Sequence, residues 1–570
     1  MTVSNPAARE DSGRFTLQAR VEPLMLVASL FWALTANRLF LGQALKERSL
    51  AEPATWGFAL ALLLMLACVH FLLLALVSTR HTVKPVLAVL IVGTAFATHF
   101  MQSFGVYLDP SMMRNVLRTD VAEARELFAW SLLPHLLVYA VLPLALLWGV
   151  RLRPTSWLRA AGWRLGTVLG AILLLVGALM LVFQPFASLM RNHKELRYLA
   201  TPANYLWSIG AVAAQSAKGA AQPRVAIGLD AKAGPRWAAR TRPLVLVLVV
   251  GETARAANWG LNGYARQTTP ELAALQQALP SSMASFAQVG SCGTNTEVSL
   301  PCMFAPVGRR DYDEDRIRGS QSLLHVLARA GVAVHWRDNQ SGCKGVCEGL
   351  PQDEVSSLKA VGICSEGRCL DEGLLLGLNE RLAAIAAQPA AGGRSATQLL
   401  VLHQLGNHGP AYFRRYPPAF ARFTPACGFD DLQKCSQQEI VNAYDNALLY
   451  TDHVLASLVA KLQAAPGLDS VLLYVSDHGE SLGENNLYLH GLPYAIAPDT
   501  QKRVPMLMWF SPGAPRVLGI DLPCLQRRAT QPAALDHLFH TLLGLADVRT
   551  TLLDPAYDLA QGCRTDRAAR

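Results

Sequence analysis

Residues 244–260 read "LVLVLVVGETARAANWG". The first seven are Val and Leu only, with no polar side to the run. That is the pattern of a strand buried on both faces, as in a parallel sheet. A glycine closes it and a helical stretch follows. The theme returns at "VAVHW" (332–336), "LLVLHQLG" (399–406), "VLLYVSDHG" (471–479) and "PMLMWF" (505–510), each a short apolar strand and most leading into a polar loop. Strands alternating with helical segments predict an α/β sandwich. In such sheets the site lies at the carboxyl ends of the strands, so the residues after each strand are the ones to read.

After the first strand stands Glu252; after "VLLYV" stand Asp477, His478 and Glu480. His403 closes the "LLVLH" strand, "GNHGP" supplies His408, and "YLHG" supplies His490. Between the first and later strands, residues 291–302 read "SCGTNTEVSLPC", placing Thr294, Thr296 and Ser299 between two cysteines, with no His beside them and no Asp nearby. Each feature has a bland reading: an Asp-His pair after a strand is commonly a hydrogen-bonded loop, a Glu there a helix cap, a loop His a surface residue. Together they make a sharper one. Two carboxylates, Glu252 and Asp477, and the His478 imidazole form a mixed O/N set suited to Zn²⁺, with a fourth position open to a nucleophile. A cation acidifies a hydroxyl bound to it, so a threonine needs no neighbouring base. A Cys292–Cys302 disulfide would hold that hydroxyl in a rigid loop.

The chain has 570 residues, of which 51% are hydrophobic and 16% charged, a balance that points to a membrane protein. The net charge of +9 is spread out; without a Lys/Arg block, no nucleic-acid partner is expected. No signal peptide is read: the first apolar run, from Leu24, is too long and lacks a cleavage site. Five stretches reach the roughly 20 apolar residues a span requires: 24–45, 57–78, 86–104, 128–150 and 166–183. Arg38 and His70 fall inside two of them, and Pro134 and Pro143 predict a kink in the fourth. Arg80 and Lys84 in one short loop, and Arg151, Arg153, Arg159 and Arg164 in another, put those loops and the N-terminus in the cytoplasm. Everything after residue 183 then lies outside.

The cysteines lead to the same side independently. Cys68 is alone in the apolar part, and the other ten fall between Cys292 and Cys563. Cys292/Cys302, Cys343/Cys347, Cys364/Cys369 and Cys427/Cys435 are close pairs, leaving Cys524 with Cys563. An even, local count reads as disulfides in an oxidising compartment; a zinc cluster fails for want of two CxxC pairs. The expected organisation is a five-helix transmembrane domain over 1–183, a surface connector over 184–240 and a catalytic domain over 241–570. An outer amphipathic helix near 110–127 carries Asn115, Thr119 and Glu123 as one polar stripe, either a solvated face or a surface that meets lipid headgroups.

At this point the sequence resembles a family. "GETARAANWGLNGYARQTTPEL", "SCGTNTEVSLPCMF", "WRDNQSGCKGVC", "HQLGNHGPAYFRRYP" and "SDHGESLGENNLYLHGLPYAIAP" look like the membrane-bound phosphoethanolamine transferases that modify lipid A. These include the polymyxin-resistance enzymes and belong to the alkaline-phosphatase-like superfamily. The resemblance covers nearly the whole chain. It implies a C-terminal α/β sandwich of the alkaline-phosphatase/sulfatase-like type, and Thr296 as nucleophile. It implies Glu252, Asp477 and His478, with Thr296, as ligands of one tightly bound Zn²⁺. Lys344, His408, Glu480 and His490 match positions that hold the phosphate or a second zinc ion, and His403 is grouped with them. Asn115 and Thr119, with Glu123 on the same stripe, match the headgroup-contacting helix. Asn295 and Glu297 depart from the small or apolar residues common beside the family's nucleophile.

The implied reaction moves phosphoethanolamine from phosphatidylethanolamine to a lipid A (lipopolysaccharide) phosphate through a phospho-threonine. The expected protein is a monomer in the inner membrane, N-terminus cytoplasmic and catalytic domain periplasmic. The same chemistry on a lipopolysaccharide core sugar or another glycan, or glycerophosphate transfer, are the alternatives. A sulfatase would need Cys/Ser-x-Pro-x-Arg, and residue 303 is Met, not Arg. A receptor with a dead phosphatase-like domain would not need every metal-site residue.

Overall fold

The computed structural model describes residues 18–119, 121–220, 223–365, 368–388 and 396–565. It divides into two compact units: residues 1–102 with 130–207, and residues 103–129 with 208–570.

The first unit is helical. Among the described residues, four helices are long and apolar enough to cross a membrane: Pro53–Val77, Val83–Phe104, Leu132–Gly149 and Trp157–Leu181. A bent pair, Val21–Thr35 and Arg38–Leu45, makes five if counted as one span. The sequence reads this first span as continuous over 24–45; the structure breaks it by 51°. The cause is Asn37, whose buried amide donates to the Trp32 carbonyl at 2.9 Å and to the Thr201 carbonyl at 2.8 Å. A side chain that takes a helix carbonyl interrupts the ladder there. The kink expected from Pro134 and Pro143 is a π-helical turn at Leu137–Val141, between short α-helical pieces. Met25, Trp32, Phe71, Leu74, Leu87 and Ile91 pack together as this unit's core.

The second unit is built on an eight-stranded sheet. Its strands are β1 (Leu244–Gly251), β2 (Met283–Gly290), β3 (Ala333–Asp338), β4 (Gln352–Glu354), β5 (Thr397–His403), β6 (Asp469–Ser476), β7 (Arg503–Phe510) and β8 (Ala533–Ala534). The order is β8-β2-β7-β6-β1-β5-β3-β4. From β6 to β4 neighbours run parallel, and β7 is antiparallel to both β6 and β2. β1 lies at the centre, with Leu244–Val250 in register with Thr397–His403 and Asp469–Val475. Its alternation sorts the run that opened the reading: Leu244, Leu246 and Leu248 enter the core on one face, Val245, Val247 and Val249 the core on the other. Burying each such side chain is worth about 1.5–3 kcal/mol, so β1 ties the two helical layers to one sheet.

The 28-residue helix Gln437–Ala464 covers the valine face. It starts at a capping box, the Ser436 hydroxyl bonding the Glu439 amide while the Glu439 carboxylate accepts from Ser436. β1, β5 and β6 all end on the same edge, which brings Glu252, His403 and Asp477 to one side of the sheet.

The stretch expected as one outer helix near 110–127 folds as two, α1 (Pro110–Arg118) and α2 (Val121–Glu126). Thr119 leaves the helical region, with ψ at 127°, and its hydroxyl donates to the Asn115 carbonyl at 2.9 Å, ending α1. Within 184–240, read as a surface connector, an 18-residue helix spans Ala203–Ala220.

Candidate active site

Thr296 is the first residue of the short helix α3 (Thr296–Met303), whose N-cap is Asn295 with its side chain accepting the Val298 N–H at 3.0 Å. A helix start offers free backbone N–H groups and the positive end of its dipole to an anion. The Cys292–Cys302 disulfide closes the segment, and the Ser299 hydroxyl donates to the Asp477 carbonyl at 2.6 Å, joining α3 to the end of β6. Thr294 is turned elsewhere, its hydroxyl donating to the Leu492 carbonyl at 2.6 Å.

Four side chains converge. Thr296 Oγ1 lies 3.0 Å from Glu252 Oε2 and 3.4 Å from His478 Nε2. His478 Nε2 in turn lies 3.3 Å from Glu252 Oε1 and 3.4 Å from Asp477 Oδ2. Glu252, Asp477 and His478 are fully buried and Thr296 nearly so. Glu252 Oε1 and Asp477 Oδ2 have no hydrogen-bond partner. Buried carboxylate oxygens left unpaired are costly, and here they face an imidazole nitrogen. His478 Nδ1 sits 2.9 Å from the Gly479 carbonyl; a proton there leaves Nε2 with its lone pair toward the cluster. These residues fit a divalent cation: two oxygens, one nitrogen and a hydroxyl, mutually close and otherwise unsatisfied.

The electrostatics agree. Burial alone would raise the Glu252 carboxyl, but the adjacent His478 imidazole outweighs it and holds it below the usual range. Burial, then the charge of Glu252, push Asp477 up. Burial works against a charged His478, yet the Asp477 and Glu252 carboxylates raise it strongly. Negative charge in the cluster exceeds what one imidazole neutralises, and a bound cation relieves that excess.

His490 belongs to this group more closely than its sequence position suggests. Glu252, His478 and His490 each offer a ligand atom within 4.8 Å of the others'. His490 Nδ1 is 3.3 Å from both Glu480 carboxylate oxygens, and its ring stands 4.5 Å from that of His478. His408 lies beyond, 5.6 Å from His490 ring to ring, with Nε2 3.3 Å from Glu123 Oε1. His403 is fully buried; its Nδ1 is held by Asp338 at 2.7 Å and its Nε2 has no hydrogen-bond partner.

Lys344 is placed by its neighbours: Nζ donates to Ser341 Oγ at 2.6 Å and sits 3.5 Å from Glu297 Oε1. Glu297, the residue after the nucleophile, is fully buried and also takes Arg118 at 3.0 Å and Arg318 at 3.4 Å. That explains the departure noted in the sequence: a carboxylate is tolerated beside Thr296 because three cations surround it. The Thr119 hydroxyl bonds the Asn115 carbonyl just past the end of α1, and α1 packs against α3; of the expected polar stripe, Glu123 is the member that meets a site histidine.

Other contributors escaped the sequence. Gln340, two residues past β3, donates to Glu252 Oε2 at 3.1 Å; extending the strand-end argument to β3 would have found it. Asp371 accepts the Leu405 and Gly406 amides, each at 2.9 Å, shaping the loop to His408. Gly406 has φ +54°, and a Cβ on it would lie 2.7 Å from the Glu252 carbonyl, so only glycine fits there. Arg118 and Glu126, from α1 and α2, carried no motif at all.

The comparisons with known proteins fall in line with this geometry. The family model described as phosphoethanolamine transferase EptA/EptB matches residues 66–217, and the Sulfatase model matches residues 245–548. The chain is 37% identical to "Phosphoethanolamine transferase EptA" of Escherichia coli (strain K12) over 95% of its own length and 96% of the relative's. It is 38% identical to "Phosphatidylethanolamine transferase Mcr-1" of Escherichia coli, over 86% and 90%. Among solved structures, the integral membrane lipooligosaccharide phosphoethanolamine transferase A (EptA) from Neisseria meningitidis superposes with a TM-score of 0.89 at 35% identity, covering 96% of this chain and 99% of that one.

Proposed function

Because this chain belongs to the phosphoethanolamine transferase family, within the alkaline-phosphatase superfamily, we propose that it transfers phosphoethanolamine from phosphatidylethanolamine to a lipid A phosphate through Thr296. The observation that carries this reading is the Thr296 hydroxyl at a helix start, 3.0 Å from Glu252 and 3.4 Å from His478. No other hydroxyl in the segment is so placed. The lipooligosaccharide acceptor named for the Neisseria meningitidis structure supports the acceptor class.

In the first half-reaction Thr296 Oγ1 bonds to the donor phosphorus as the bond from phosphorus to the diacylglycerol oxygen breaks. The hydroxyl proton is lost toward solvent, and diacylglycerol leaves carrying a proton. In the second, a lipid A phosphate oxygen bonds to the same phosphorus as the bond from phosphorus to Thr296 Oγ1 breaks, and Thr296 regains a proton. Two displacements through one nucleophile give ping-pong kinetics. A Zn²⁺ ion held by Glu252, Asp477, His478 and Thr296 supplies acidification of the hydroxyl and compensation of phosphoryl charge when bound. Thr296 donates its hydrogen to Glu252 Oε2, which fixes the rotamer and points a lone pair at the incoming phosphorus. The α3 N-terminus, Lys344 and His490 meet the phosphoryl oxygens, with His408, Glu480 and His403 around them as phosphate holders or ligands of a second ion. Asn115, Thr119 and Glu123 face the donor headgroup.

The chain acts as a monomer of the inner membrane, N-terminus cytoplasmic and the disulfide-bearing unit periplasmic. Adding a cationic headgroup to lipid A lowers the envelope's negative charge and favours polymyxin resistance. Thr296→Ala in the purified full-length protein tests the reading. We expect loss of fluorescent phosphatidylethanolamine turnover by roughly three orders of magnitude or more, with an unchanged melting temperature. Near-normal turnover would remove Thr296 as nucleophile. Mass spectrometry of lipid A from cells with and without the protein checks the acceptor: no added phosphoethanolamine on lipid A would shift it to a core sugar or another glycan.

A further inference from the structure

A cleft of about 700 Å³ opens in the second unit beside the His408 loop rather than at Thr296. Arg125 and Glu126 of α2, Arg368, Leu405, Arg414 and Arg415 line it. Arg415 is the buried arginine, 4% exposed, and Glu126 is buried beside it. Its Nε donates to the His408 carbonyl at 2.7 Å, and its Nη1 lies 3.2 Å from Glu126 Oε1. The Arg368 Nε stands 3.7 Å from the same Glu126 oxygen. Arg414 pairs with Asp430 at 3.0 Å on the exposed side, and Arg125 is exposed at the rim. Glu123, one turn back on α2, is engaged with His408. Among the described residues the lining itself carries four guanidinium groups and one carboxylate, Glu126, while Asp430 and Glu123 act from outside it.

Guanidinium is weakly hydrated and forked, and it matches the oxygens of a phosphate better than an ammonium does. Glu126 does not cancel this. It fixes the Arg415 plane against the wall, and the same arginine holds the His408 loop that flanks the nucleophile. An anion in the cleft is therefore registered, through Arg415 and the His408 backbone, against the reacting centre. Its charged lining suits a charged headgroup rather than an acyl chain.

We propose that this arginine cleft is a phosphate-binding subsite that holds the non-reacting phosphate of a doubly phosphorylated acceptor while the other is presented to phospho-Thr296; this rests on the transfer reaction proposed above. A phosphate in the cleft has two sources, the donor headgroup and the acceptor, and the two half-reactions separate them.

The test uses the full-length protein in mixed micelles and the double variant Arg125→Gln/Arg414→Gln, both exposed and outside the reacting cluster. The probes are fluorescent phosphatidylethanolamine alone, then diphosphoryl and monophosphoryl lipid A as acceptors. We expect wild type to show a KM at least about tenfold lower for the diphosphoryl acceptor, about 1.4 kcal/mol. The variant should erase that preference by raising the diphosphoryl KM, with phospho-enzyme formation and monophosphoryl transfer unchanged. A variant that keeps the preference overturns the subsite. So does a wild type without one, and so does a variant whose defect lies in the donor half-reaction, which would give the cleft to the donor headgroup. A wild type that forms no phospho-enzyme from phosphatidylethanolamine overturns the underlying reaction instead.

Discussion

At Asp477 one substitution removes both a candidate ligand and a countercharge. Its Oδ2 is buried without a hydrogen-bond partner, 3.4 Å from His478 Nε2. Asp477→Ala should lose zinc and transfer together, whereas Glu480→Gln should slow transfer with the metal retained, since Glu480 reaches the cluster through His490. Metal content of the purified protein by mass spectrometry, read beside activity, decides it: full zinc occupancy in Asp477→Ala would sink the assignment, as would full activity after chelation. Glu252, Asp477 and His478 were legible because each follows a core strand, so a periodicity of apolar runs points straight at them. Gln340 and Glu297 were not. Their contribution comes from where loops return in space: Glu297 shows in the sequence as a departure from the family's pattern, and its role emerges when Arg118, Arg318 and Lys344 close around it.

Elements behaved likewise: β1, β5, β6 and β7 could be read because a strand buried on both faces has few sequence alternatives, while boundaries set by single side chains could not. Asn37 breaks the first span and Thr119 ends α1, each through a hydrogen bond that composition does not reveal. The attachment of α2 is of the same kind. Glu126 and Arg415 form a pair with side chains 6% and 1% exposed. Removing either leaves a buried charge, a loss of roughly 3–5 kcal/mol in comparable pairs. Glu126→Ala and Arg415→Ala should each raise hydrogen exchange across Val121–Glu126, and the double variant should cost clearly less than the sum. Additive effects in that cycle would show that α2 is held by something else.

For the whole molecule, five disulfides join Cys292–Cys302, Cys343–Cys347, Cys364–Cys369, Cys427–Cys435 and Cys524–Cys563, and Cys68 is free. Most close short loops; Cys524–Cys563 spans 39 residues and Cys343–Cys347 only 4. Chain-entropy arguments give about 4 kcal/mol for the long loop and about 2 kcal/mol for the short one. Replacing both members of the long bridge by Ser should therefore lower the melting temperature more than replacing both of the short one, and thiol titration of the denatured, unreduced wild type should find one group. More than one would mean a bridge is missing.

The segment 103–129 is encoded between two membrane helices, yet it belongs to the unit that carries Thr296. It contributes Arg118 to Glu297, Glu123 to His408 and Glu126 to Arg415. The catalytic unit is thus discontinuous in the gene, with the last two membrane helices, Leu132–Gly149 and Trp157–Leu181, inserted between its parts. A recombination event that exchanges only the distal half between two such genes splits co-adapted ion pairs, and a fragment excised after the last span lacks one wall of its own site. Viable crossovers should cluster either upstream of codon 103 or at exchanges that carry both pieces together.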